Sequence, residues 1–244
     1  MRFETNDTKF KETMIVTSQI LDTIKLECDK DGVRFSGLDK SHICFIKAEF
    51  KQTHFTEYEC ETPDTLVIDT TDLVKVLNRM GSNDTMIISN NNEHLKVTYE
   101  SDMTRRFNII LLDNDYDTPA MPNIQYPNKN VEISFKEFNN CLKDISLYSD
   151  KVKVNMDVDD RVWLVCDGVN GSYQGELMSS SKVDKVVSST YALGFLDKFK
   201  GLAKIGDFLR LSMGDDTPLL YTLEDLSEEV KVEVLLAPRI ESDY

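Results

Sequence analysis

The 244-residue sequence predicts an α+β fold in which one structural unit is used twice. Three observations carry this reading. Both halves open on a helix-patterned stretch and continue into alternating, strand-patterned runs. Both then show a second helical stretch that stops at a glycine, Gly81 in the first half and Gly201 in the second. Both close on three more strand-patterned runs, and matched positions stand about 125 residues apart, as Phe10 and Phe135 do.

The first helix is placed within Thr8–Thr23. Phe10, Met14, Ile15, Ile20, Leu21 and Ile24 recur near a 3.6-residue period on one side, and Asp7 is the candidate N-cap. Its counterpart is Ser134–Tyr148, with Phe135, Phe138, Leu142, Ile145 and Leu147 as the apolar side. Ser134 with Glu137 three residues on forms a capping box. Ile24–Cys28 and Val33–Ser36 flank the turn Asp29-Lys30-Asp31-Gly32 and read as a hairpin. The second half repeats it as Val152–Asp157 and Arg161–Val165 around an Asp-rich turn. A further strand follows in each half, Ile43–Phe50 and Ser172–Leu177. The second helices are Thr71–Met80 and Thr190–Lys200. The closing strands are Thr85–Ser89, Leu95–Tyr99 and Arg105–Leu112, then Asp207–Met213, Leu219–Leu223 and Val230–Leu236.

Between the halves lies Asp113–Lys129 with Pro119, Pro122 and Pro127, and proline keeps such a linker extended. The expected organisation is an N-terminal domain over 1–116, a connector over 117–129 and a C-terminal domain over 130–244.

Apolar residues make up 41% and charged residues 29%, enough for a sizeable core. No run approaches the roughly 20 apolar residues of a membrane helix, and Met1–Thr5 lacks the apolar stretch of a signal peptide. A soluble intracellular protein with no membrane partner is expected. Five cysteines without CxxC spacing read as free thiols in a reducing compartment, and the three histidines are scattered, so no metal and no cofactor are expected. Walker A, GxGxxG, HExxH and GxSxG patterns are absent, which argues against an enzyme and leaves no catalytic residue to name. Asp157, Asp159 and Asp160 fit a hairpin turn better than a calcium loop. A net charge of −15 taken alone argues against nucleic acid, so the distribution of cations matters more than their sum.

Four phrases resemble the proliferating cell nuclear antigen family, and together they span the chain: Asp31 to Ile43 (DGVRFSGLDKSHI), Met121 to Tyr126 (MPNIQY), Leu211-Ser212-Met213 with Thr217-Pro218-Leu219, and Leu236-Ala237-Pro238-Arg239-Ile240-Glu241. The resemblance, archaeal in type, implies duplicated clamp domains, each with two helices on one face of antiparallel sheets. Three chains would form a pseudo-sixfold ring around double-stranded DNA, read without sequence preference. It implies a processivity factor that tethers DNA polymerase and is engaged by a clamp loader, a flap nuclease and a ligase through short client motifs. Localisation would be cytoplasmic in an archaeon and nuclear in a eukaryote. The alternative is a checkpoint-type clamp subunit of a heterotrimer.

On this resemblance the helices face DNA, and the cations on or beside them are Lys9, Lys11, Lys75, Arg79, Lys143, Lys198, Lys200 and Lys204, with Lys136 also on the third helix. The client pocket falls on Leu38, His42, Phe45, Met121, Pro218, Leu235, Ala237 and Pro238. The subunit interface pairs strand Thr104–Ile110 with about Asn170–Leu177 of a neighbour, involving Arg105, Arg106, Phe107, Ile109, Tyr173, Gly175 and Leu177.

Overall fold

The computed structural model describes residues 1–91, 93–115 and 117–239. The chain divides into two compact units. One comprises Met1–Lys40, Ile46–Met121 and Asp225–Val232; the other comprises Ser41–Phe45, Pro122–Glu224 and Glu233 onward. Ile240 and Glu241 of the C-terminal phrase lie outside the described residues.

In chain order the first half gives β1 (Arg2–Thr5), α1 (Lys9–Ser18), β2 (Thr23–Asp29), β3 (Gly32–Leu38), β4 (Cys44–Lys51), β5 (Glu57–Glu59), β6 (Asp64–Asp69), α2 (Thr70–Leu77), β7 (Thr85–Asn90), β8 (His94–Glu100) and β9 (Arg105–Ile110). Strands run β5-β1-β7-β8-β9 in one sheet and β4-β3-β2-β6 in the other, and α1 packs against α2. The apolar face of β1 supplies Phe3, which meets Phe10 of α1 edge-on at 5.6 Å; Phe10 in turn meets Phe50 at 5.3 Å. The β2–β3 hairpin closes with Asp29 opposite Gly32. Gly32 has φ 144°, and a Cβ there would stand 2.0 Å from the Phe50 carbonyl oxygen, so only glycine fits. Tyr58 Oη donates to the Asp29 and Gly32 carbonyls at 2.6 and 2.7 Å and pins this turn.

The second half repeats the order: β10 (Asn128–Ser134), α3 (Phe135–Ile145), β11 (Lys151–Asp157), β12 (Arg161–Gly168), β13 (Gly171–Met178), β14 (Val187–Ala192), α4 (Leu193–Lys198), β15 (Phe208–Met213), β16 (Leu219–Glu224) and β17 (Val230–Leu236). Its sheets run β10-β15-β16-β17 and β13-β12-β11-β14, the same orders as β1-β7-β8-β9 and β4-β3-β2-β6. The repeat is therefore one of topology as well as of pattern. α3 packs against α4, and Phe135, Phe138 and Phe199 surround the buried Tyr221 ring. Ser134 Oγ accepts from Glu137 N at 3.3 Å, the cap the sequence predicts. Asp157 accepts from Asp159 N, Arg161 N and Trp163 Nε1, so its carboxylate closes a turn.

Several boundaries differ from expectation. α1 ends at Ser18, because Ile20 and Leu21 leave the helix in a turn bonded to Thr17 O, and Ile24 belongs to β2. Its buried side includes Thr13 and Thr17, whose hydroxyls donate to the carbonyls four residues back. Asp7 does serve the helix start, accepting from Lys9 N at 2.9 Å, with Thr8 as the terminal residue. Leu147 lies past the end of α3 and is exposed. α2 ends at Leu77 rather than Met80. Thr190–Ala192 is strand, paired with β11, and after α4 a 3-10 turn over Phe199–Lys204 runs through Gly201 instead of stopping there. β1, β5, β6, β10 and β14 are strands beyond those expected from the sequence. β10 begins at Asn128, inside the stretch expected as connector.

Candidate functional site

The helices present cations unevenly. Lys9 Nζ lies 2.6 Å from Asp225 Oδ2, so this ammonium is committed to a buried carboxylate and is withdrawn from the expected lining. Lys75 pairs with Asp72 at 2.7 Å, and Lys200 pairs with Asp197, each three residues away on its own helix or turn. Lys198 sits over the Phe195 ring at 4.6 Å. Among the described residues Lys11, Arg79, Lys143 and Lys204 have no carboxylate within ion-pair distance, and Arg79, Lys136, Lys143 and Lys204 are exposed. These are the cations best placed to meet phosphate.

The strands expected at a subunit interface both end sheets. Among the described residues β9 pairs only with β8, and β13 pairs only with β12. Each therefore leaves one row of N–H and C=O groups open to another strand. The side chains sort by sheet face. Arg106 and Asn108 are exposed on β9, as is Ile110, while Ile109 is buried and Phe107 packs edge-on against Tyr99 at 5.9 Å. Arg105 corrects the expectation. It pairs with Asp84, donates from Nη1 to Arg79 O at 2.8 Å and lies 5.2 Å from the Tyr99 ring centroid, so it braces its own unit. On β13, Gly175 lies against Cys141 of α3, where a Cβ would stand 2.9 Å from Sγ, and Leu177 is buried. Tyr173 bonds with Cys141 from the same side. These three support α3, and Ser172, Gln174, Glu176 and Met178 are the exposed side chains.

The expected client residues divide between the units. In the first unit Leu38 and Met121 are half-buried. In the second, Phe45 and Leu235 are core residues, 2% and 7% exposed, and cannot line an open pocket. His42 is exposed at φ 58°, and Pro218 is half-buried. Ala237 and Pro238 do line a groove, of about 570 Å³, with Ile43, Ala192, Phe195 and Arg239. The Ala237 N–H donates to Ile43 O at 2.8 Å, which aligns the chain end with the start of β4, and Arg239 Nη1 bonds Asp150 Oδ2 at 2.9 Å across the rim. Ile43, 38% exposed, is the groove residue that sequence reasoning missed. Its signal was an apolar residue directly after an exposed Ser-His pair.

One group among the described residues brings metal-ligating atoms together: His54, Asp225 and Glu229. Its members lie far apart in the chain, and no spacing motif announces it.

Two helices packed together in each unit, sheets ending in open strands, and one order of elements used twice define the class: a duplicated clamp fold of the processivity type. A family model described as proliferating cell nuclear antigen, N-terminal domain, matches residues 2–118. The DNA polymerase sliding clamp of Methanothermobacter thermautotrophicus is 35% identical over 98% of this chain and 98% of its own length. That of Methanobrevibacter smithii is 31% identical over 96% and 95%. The structure of the C-terminal region of FEN-1 bound to A. fulgidus PCNA matches with a TM-score of 0.90 at 18% identity, covering 99% of each chain. The PCNA2–PCNA3 complex from Sulfolobus tokodaii matches with a TM-score of 0.89 at 20% identity, covering 99% of this chain and 100% of the other. At such identities the structures establish the fold. The relatives establish the family: the chain belongs to the proliferating cell nuclear antigen family of DNA polymerase sliding clamps.

Proposed function

We propose that three copies of the chain close a ring around double-stranded DNA, β9 of each adding to β13 of the next, and that the ring tethers polymerase and other replication and repair proteins. The observation that carries this reading is the pair of open edges: two strands of similar length, each ending a four- or five-stranded sheet. A row of unpaired backbone groups is satisfied by a second copy in a head-to-tail contact, and such contacts close into rings. The lining falls to Lys11, Arg79, Lys143 and Lys204, with Lys136 and Lys198 beside them. Attraction to phosphate without base readout lets the ring slide. Clients would anchor at the groove of Ile43, Ala237 and Pro238, with His42 and Pro218 as further contacts. The role is that of a platform rather than a catalyst. Among the described residues no helix is long and apolar enough to cross a membrane. The domain division proposed is 1–116, 117–129 and 130–244.

A second reading is a subunit of a mixed ring, since one similar structure is a complex of two different clamp chains. Multi-angle light scattering of the purified chain tests both. A particle of three times 28.0 kDa is expected for the homotrimer. A monomer or dimer that becomes trimeric only with a related chain would favour the mixed ring.

A further inference from the structure

His54 ends the 3-10 turn that follows β4, and its side chain is only 3% exposed. The ring packs against Phe50 and Phe55, at centroid distances of 5.6 and 5.1 Å. Nε2 is buried and, among the described residues, makes no close hydrogen bond; its one polar contact is the long one to Asp7 Oδ1 at 3.5 Å. Buried polar atoms are nearly always well satisfied, so an imidazole nitrogen held by one long contact has room for a stronger partner.

What lies in front of it is acidic. His54 Nε2, an Asp225 carboxylate oxygen and a Glu229 carboxylate oxygen all lie within 4.8 Å of one another, and Asp7 Oδ1 is 3.5 Å from Nε2. Asp225 and Glu229 belong to the turn between β16 and β17. Asp225 is oriented by its surroundings: Oδ1 accepts from Glu229 N at 2.8 Å and Val230 N at 3.0 Å, and Oδ2 accepts from Ser227 Oγ at 2.9 Å. Ser227 Oγ also lies 3.2 Å from Glu229 Oε2. Such outer bonds aim carboxylates at a shared ligand. The remaining bond on Oδ2 comes from Lys9 Nζ at 2.6 Å, a cation already standing at the site.

We propose that His54, Asp225 and Glu229 form a binding site for a zinc-class divalent cation, and that the ion displaces the Lys9 ammonium from Asp225. One imidazole with carboxylates suits zinc or cobalt, whereas magnesium and calcium favour oxygen alone. The ion takes the Nε2 lone pair of the neutral imidazole in place of the long Asp7 contact, and the Oδ2 position that Lys9 holds. Zinc ligands at 2.0–2.1 Å stand roughly 3.4 Å apart, and the half-buried Glu229 side chain closes the difference. Asp7 or water completes the shell. The bound ion joins the turn after β4 to the β16–β17 turn and stabilises the folded state, because the unfolded chain does not assemble these ligands.

The test is isothermal titration of metal-stripped full-length protein with zinc chloride, with cobalt chloride as a spectroscopic probe. One saturable site per chain is expected, with cobalt d–d bands, no thiolate charge-transfer band, and a thermal midpoint that rises with zinc. His54→Gln should weaken binding more than the about 10–100-fold lost with an outer-shell partner. Glu229→Gln, at a half-buried turn position that tolerates substitution, should weaken it as well. Lys9→Met should tighten it by about tenfold, since a competing charge is gone. No saturable site in the wild type, unchanged affinity in Glu229→Gln, or a thiolate band placing the ion on cysteine overturns the site. Unchanged affinity in Lys9→Met overturns the displacement.

Discussion

The Lys9 ammonium lies 2.6 Å from Oδ2 of Asp225, an ion pair between residues 216 apart in the chain. It ties the first turn of α1 to the turn between β16 and β17, both inside the first unit. Burial alone pushes the Asp225 carboxyl up. The bonds from Lys9, the Val230 N–H, Ser227 and the Glu229 N–H outweigh it and hold the group at about 2.

That value lies below the ordinary 3.8, so the folded state favours the ionised form. The associated stability is fully present above about pH 4 and is lost as pH falls through 2, and it amounts to about 2 kcal/mol. Asp225→Asn should lower the unfolding free energy by about that much at pH 7, and the gap to wild type should narrow as pH drops toward 2. Denaturant titrations at the two ends of this window read the difference. Equal stability at pH 7 would remove the pair's role.

The two arginines of β9 should behave differently. Arg105→Ala removes the partner of Asp84 and of the Arg79 carbonyl, and should destabilise the protomer by about 1–3 kcal/mol. Arg106→Glu touches no internal partner among the described residues and should leave the thermal midpoint in place while reducing the assembled mass. Light scattering and thermal unfolding of both variants separate the roles, and a reversal of the two outcomes would reverse the assignment.

In the groove, Ala237→Glu should abolish binding of a peptide bearing a Gln, an aliphatic residue and paired aromatics, with little change in stability, because Ala237 is only partly covered. Leu235→Glu should instead unfold the protein at lower temperature, since a carboxylate replaces a side chain 7% exposed in the core. Fluorescence anisotropy with a labelled peptide, beside thermal melts, distinguishes loss of contact from loss of fold.

For the lining, Arg79→Ala with Lys143→Ala should impair loading and polymerase stimulation while the ring stays trimeric. Each lost phosphate contact should reduce the slope of log affinity against log salt by about 0.9. Lys75→Ala and Lys200→Ala should do less, because Asp72 and Asp197 already neutralise them. Retention on closed circular DNA should resist salt, where topology holds the ring, and retention on linear DNA with free ends should not. Equal retention on the two templates would count against encirclement.

The duplication was legible because helix periods, hairpin turns and capping boxes are local. Ser134 caps from three residues away, and Asp157 closes its turn within four. The strands that went unread are short or carry little pattern. β1 has four residues, and Thr190–Ala192 of β14 lies in a stretch whose spacing also fits a helix start. Client and interface positions were placed by resemblance, which assigns a location in the fold and not a direction in which a side chain points. Phe45 and Leu235 therefore prove to be core, and Arg105 turns inward.

By itself, then, the sequence determined the repeated α+β unit, the turn chemistry at Gly32 and Asp157, and the family resemblance, all of which depend on residues near one another in the chain. Only the tertiary structure decided which cations remain available and where acids converge. Lys9 meets Asp225 across 216 positions, and His54 meets Glu229 by the same route, because the turn between β16 and β17 packs within the first unit. An ion pair is a property of distance and burial, and composition carries no record of either until topology brings the charges together.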